Sequence, residues 1–238
     1  MNNYTQYQNA QTQSRATAYD EGLRAYMIQV YNFMGLALAL SGLVAWFTAS
    51  TPALMQAIYG TPLSWVVMLA PLGFVLFMSF RLQKLSYGAA QLTFWLFAAV
   101  MGLSLSWIFM VYTGASVARV FFITASVFGA MSLYGYTTKR DLTGIGSFLF
   151  MGLIGIIIAS LVNLFLKSTG LQFAISVIGV LIFVGLTAYD TQRIKQVYFQ
   201  ISRDGSMLGK AAIMGALSLY LDFINLFIHL LQFMGDRR

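Results

Sequence analysis

Ser218-Leu219-Tyr220-Leu221-Asp222-Phe223-Ile224-Asn225-Leu226-Phe227 sets a carboxylate in the middle of an apolar run long enough to cross a bilayer. A central Asp costs roughly 2.5 to 3.5 kcal/mol on insertion scales, and each strong apolar residue returns roughly 0.3 to 0.6. The apolar residues between Ile213 and Leu231 outweigh Asp222 by little once Asn225 and His229 are counted. Such a helix should insert only with partners. On a helix, Gly215, Ser218, Asp222, Asn225, His229 and Gln232 recur at alternating steps of three and four and form one stripe. A polar stripe on a greasy helix looks into a bundle or a wet cavity, so this last segment should be the central helix.

The remainder of the chain agrees with a bilayer. Of 238 residues 59% are hydrophobic and 9% charged, and the mean hydropathy is +0.75, which excludes an ordinary soluble globule. The class is all-α and polytopic. Cysteine is absent, which removes disulfides, thiolate metal sites and cysteine nucleophiles. The single histidine, His229, rules out a multi-histidine metal cage, and no metal site is assigned. The net charge of +7 suggests no nucleic-acid partner, because no basic cluster with interleaved aromatics exists and the charges flank apolar segments.

Residues 1–24, rich in Asn, Gln, Thr and Tyr without an aliphatic run, read as a disordered cytoplasmic leader. Residues 25–238 read as one domain of seven transmembrane helices, at approximately 26–50, 62–80, 87–112, 115–136, 145–166, 171–190 and 211–234. Orientation follows from Lys and Arg. Arg15, Arg24, Arg81, Lys84, Lys139, Arg140, Arg193, Lys195, Arg203 and Lys210 share one side; Arg119, Lys167, Arg237 and Arg238 occupy the other. The N-terminus is therefore expected in the cytoplasm. Seven spans put the C-terminus outside, although the terminal Arg pair pulls weakly toward a last segment that re-enters.

Five of the seven acidic residues fall in the leader, the connections and the end, which leaves Asp190 and Asp222. Asp190 closes the sixth expected span in Tyr189-Asp190-Thr191-Gln192, and Asp222 lies deeper in the next helix. Two carboxyls within hydrogen-bonding distance in a poorly solvated site would share a proton and titrate as one unit, a pH sensor inside a bundle. A helix-end salt bridge to Arg193 is the plainer account of Asp190. Arg81, on the same side, is a candidate latch for Asp190 or a snorkelling topology residue. His229 sits two turns from Asp222 on the stripe, as a packing residue or a proton relay.

Met214 to Phe227, Tyr189-Asp190-Thr191-Gln192 and Tyr134-Gly135-Tyr136-Thr137-Thr138-Lys139-Arg140-Asp141-Leu142 together resemble the Bax inhibitor-1 family, also called the transmembrane BAX inhibitor motif family, and most of all its bacterial inner-membrane members. The resemblance implies six helices around the last one and a pH-dependent calcium leak through the plasma membrane, gated by a two-aspartate sensor that matches Asp190 and Asp222. It implies an arginine latch that matches Arg81. No cofactor and no enzymatic activity are expected, calcium being the permeant ion. Two other readings stand beside it: a regulator that binds a membrane quality-control protease, with the leader as its contact, and an intramembrane aspartyl protease. The latter would need a Gly-x-Gly-Asp motif, whereas Asp222 follows Tyr220-Leu221.

Overall fold

A computed structural model describes the backbone of residues 2–202 and 205–238, and the side chains of residues 21–82, 84–202 and 207–238. Arg203 and Asp204, which entered the charge reading, lie outside the described residues. The helices are α1 (Asn2–Ala49), α2 (Pro52–Tyr59), α3 (Leu63–Arg81), α4 (Tyr87–Leu105), α5 (Ile108–Val111), α6 (Gly114–Thr137), α7 (Thr143–Leu166), α8 (Thr169–Ile201) and α9 (Gly205–Met234). Seven stretches are long and apolar enough to cross a membrane: Glu21–Ala49, Leu63–Arg81, Tyr87–Val111, Gly114–Thr137, Thr143–Leu166, Thr169–Ile201 and Met207–Met234.

Local chemistry sets the helix ends. Ser86, Thr113 and Ser168 each accept a hydrogen bond from the backbone N–H three residues on, the usual way a hydroxyl satisfies an orphan donor at a helix start. Pro52 opens α2, where its missing N–H is harmless. Lys167 ends α7 in the left-handed region at φ 50°. The third span breaks after Leu105, and Tyr59 Oη lies 3.1 and 3.2 Å from the carbonyls of Leu103 and Ser104 at that break.

Two elements run longer than hydropathy suggests. α1 begins at Asn2 and continues through the stretch expected to be a disordered leader. Residues 2–21 contain no Gly or Pro and are interspersed with Ala, Gln and Arg, so nothing in them breaks a helix. α8 does not stop at Asp190 but continues to Ile201, 33 residues in all. At 1.5 Å per residue that is about 50 Å, against a hydrocarbon core of about 30 Å. Asp190 is therefore an interior helix residue, not a helix end.

The last helix is central. In its most apolar window 67% of the residues are buried, against 11% to 44% in the other six. α1, α4, α6 and α8 pack along it, while α3 packs chiefly on α4 and α7 chiefly on α8, so four helices form the inner ring and two stand outside. Trp65, Phe80, Phe148 and Phe165 on those outer helices are 69% to 87% exposed, as side chains facing lipid would be. Residues 236–238 return to the start of α6. Thr113 N–H donates to Asp236 O at 3.1 Å, Arg238 N–H to Val111 O at 2.9 Å, and Arg119 pairs with Asp236 at 2.9 Å. The C-terminus thus lies on the face opposite the start of α1, with seven crossings and no re-entrant last segment.

Candidate functional site: a buried acid pair between two cavities

α8 and α9 form an antiparallel pair, and the polar stripe of α9 is the seam that meets α8. Near one end Gly215 packs on Ile194. Toward the other end, Gln232 accepts hydrogen bonds from Gln172 Nε2 at 2.9 Å and Ser176 Oγ at 3.2 Å. Between them the His229 ring lies over Phe183, with centroids 5.7 Å apart and planes 24° from parallel. The ring fits because residue 179 is glycine: a Cβ there would stand 2.6 Å from the imidazole.

Asp190 and Asp222 meet in the middle of this seam, 8% and 5% exposed, with their carboxyl groups near enough to interact directly. Two carboxylates have no hydrogen to offer each other, so a hydrogen bond between them needs a proton on one. Among the described residues no serine, amide or cation donates to Asp222 Oδ2, which is sealed from solvent. The cation whose field reaches Asp190 is Arg193, one turn along α8.

The pair stands in the wall between two cavities. One, of about 850 Å³, lies toward the α8–α9 connection and is lined by Tyr26, Ser79, Asp190, Arg193, Lys210 and Ser218 among apolar residues. The other, of about 700 Å³, lies between α7, α8 and α9 and is lined by Asp190, Asp222, Asn225 and His229, with Ser218 and Arg193 shared between the two. Of the residues singled out from sequence, Asp190, Asp222, Ser218, Asn225 and His229 therefore come together. Arg81 does not: it is exposed at the end of α3 and makes no ion pair among the described residues. The reason is positional, since α3 belongs to the outer layer.

Other residues positioning the pair carried no distinct sequence signal. Thr191, fully buried next to Asp190, bonds Ser132 of α6 at 3.0 Å, and Ser132 in turn bonds Tyr31 of α1. Tyr220 bonds Ser41 of α1 at 2.7 Å, and Ser41 donates to Ala98 O of α4 at 2.6 Å. Hydroxyl residues at such spacing look the same in a sequence whether they pack or pair. Among the described residues, no group of three or more His, Asp or Glu gathers to hold a metal ion.

Fold and site together define a multi-pass helical membrane protein built around a buried acid pair. The chain belongs to the Bax inhibitor-1 family: residues 23–238 match the family described as "Inhibitor of apoptosis-promoting Bax1". Inner membrane protein YbhL of Escherichia coli is 53% identical over 219 residues, 91% of this chain and 94% of that protein. An uncharacterised protein of Rickettsia prowazekii is 52% identical over 227 residues, covering 95% and 96% of the two chains. One from Caulobacter vibrioides is 48% identical over 228 residues, 92% and 91%. The chain is a multi-pass inner-membrane protein of this family.

Proposed function

We propose that the protein is a pH-sensitive cation leak, with calcium as the permeant ion and the Asp190–Asp222 pair as its proton-operated gate. The observation that carries this reading is the approach of the two buried carboxyls to each other in the wall that divides the two cavities. With its proton the pair ties α8 to α9 and the cavities stay separate. Losing that proton leaves two anions in contact, which repel, loosen the seam and attract a divalent cation. We place the N-terminus in the cytoplasm from the ten cations on its side against four opposite. That makes the larger cavity the cytoplasmic vestibule. The pair is a sensor in this reading and not a catalyst.

The test is calcium entry into dye-loaded liposomes containing the full chain. Flux should rise as the pH is raised, and Asp222→Asn, which keeps a hydrogen-bonding side chain but removes the titration, should flatten that dependence. A flux indifferent to pH and to Asp222→Asn overturns the proposal.

A further inference from the structure

The larger cavity, toward the α8–α9 connection, is a cleft with a side open to the bilayer. α3 lines it with Val75 and Ser79, yet α3 packs chiefly on α4 and α7 chiefly on α8, and neither packs closely on the other or on α9. Most of the lining is apolar and partly accessible, including Val75, Val197, Met214 and Leu221, and Met207 near the connection is 46% exposed. At about 850 Å³ the cleft is within the size range of small-molecule sites, roughly 300 to 1,000 Å³.

The polar groups of this lining offer hydrogens. Arg193 is exposed and, among the described residues, makes no hydrogen bond or ion pair, although its field reaches Asp190. Ser218 is partly accessible, and its hydroxyl has no partner among the described residues. Lys210 adds a second positive charge nearer the connection, five residues before the Gly215 that meets Ile194. Against these two cations the lining sets one acid, Asp190. Cations in the mouth of a cation path repel the ion it would admit, so they call for another role. A phosphodiester supplies what they lack: acceptor oxygens for the guanidinium and the hydroxyl, and negative charge for both cations. Basic pockets between transmembrane helices hold lipid headgroups by the same chemistry.

We propose that this cleft is a binding site for an anionic phospholipid, its phosphate between Arg193 and Lys210 with Ser218 as a further donor, and its acyl chains leaving past Val75 of α3 into the bilayer. A zwitterionic lipid brings its own cation to a wall that already carries two, and is the poorer fit. The site occupies the vestibule of the proposed leak but does not depend on ion movement.

The test is native mass spectrometry of the full chain in detergent, offered phosphatidylglycerol and phosphatidylcholine in equal amounts. The chain should retain phosphatidylglycerol in preference, by about tenfold, and the double change Arg193→Gln with Lys210→Gln should abolish that preference. Ser79→Trp, at an exposed position of α3, narrows the cleft without touching either cation and should lower phosphatidylglycerol retention by a similar factor. Lys139→Gln with Arg140→Gln removes two exposed cations from the same face outside the cleft and should change nothing. Equal retention of the two lipids, an unchanged retention in Ser79→Trp, or a preference lost equally in the Lys139 and Arg140 double variant overturns the site. Displacement of the lipid by inorganic phosphate at comparable concentration makes it a site for a soluble anion and overturns the lipid assignment. None of these readouts involves ion flux, so the leak stands or falls separately.

Discussion

Gln192 holds the connection between α6 and α7 onto α8. Its Oε1 accepts the Leu142 N–H at 2.9 Å and its Nε2 donates to Arg140 O at 2.8 Å, with the side chain 8% exposed. One amide thus satisfies two backbone groups that have no helical partner, two residues from the acid pair. Replacing it with alanine leaves both unpaired, and Gln192→Ala should destabilise by about 1–3 kcal/mol. Thermal unfolding in detergent measures this. Gln192→Glu, which keeps the acceptor for Leu142 but when ionised offers Arg140 O no hydrogen, should fall between wild type and alanine.

Gly135 lets α6 pack tightly on the backbone of α8. A Cβ there would collide with Ala188 O and stand 2.9 Å from Ala188 Cα, whereas a Cβ at Gly129 on the same helix meets nothing within 4 Å. Gly135→Ala should cost about 1–3 kcal/mol by forcing the helices apart. Gly129→Ala should be neutral or stabilising by up to about 1 kcal/mol through helix propensity. The contrast in unfolding temperature between the two variants isolates packing from propensity.

Asp141 caps the start of α7: its Oδ1 accepts the Thr143 N–H at 2.9 Å and the Thr143 hydroxyl at 2.6 Å. The hydroxyl bond first, then the backbone bond, hold its carboxyl below the ordinary value. A lowered folded value means the cap stabilises above the ordinary carboxylate range and is lost as the pH falls through that lowered value. Asp141→Asn should therefore remove an acid-dependent component of stability and leave the rest. A stability profile from neutral to acidic pH, parallel in variant and wild type, would contradict this.

Much of this molecule can be read from its hydropathy and its polar outliers. The seven crossings, the central last helix and the meeting of Asp190 with Asp222 all follow from apolar length and from the stripe through Asp222. What hydropathy hides is where a helix ends when polar residues face protein and not water. α8 runs past Asp190 because Gln192 and Lys195 spend their polar groups on the backbone of residues 136–142, Lys195 donating to Tyr136 O at 2.9 Å. The Tyr134–Leu142 stretch and the Tyr189–Gln192 stretch, two separate motifs in the sequence, are one contact in space. The cavities were illegible for a different reason: they arise from the splay of α7 and α3 away from α9, which depends on helix packing that no single segment encodes.

The stitched tail has a practical consequence. Because residues 236–238 are tied to the connection before α6, anything fused behind Arg238 emerges on the face opposite the start of α1, and must do so beside a backbone pairing it can strain. On the proposed orientation, alkaline phosphatase placed there should be active and a fluorescent protein that matures only in the cytoplasm should stay dark. A purification tag is better carried at the N-terminus, where it leaves that stitching undisturbed.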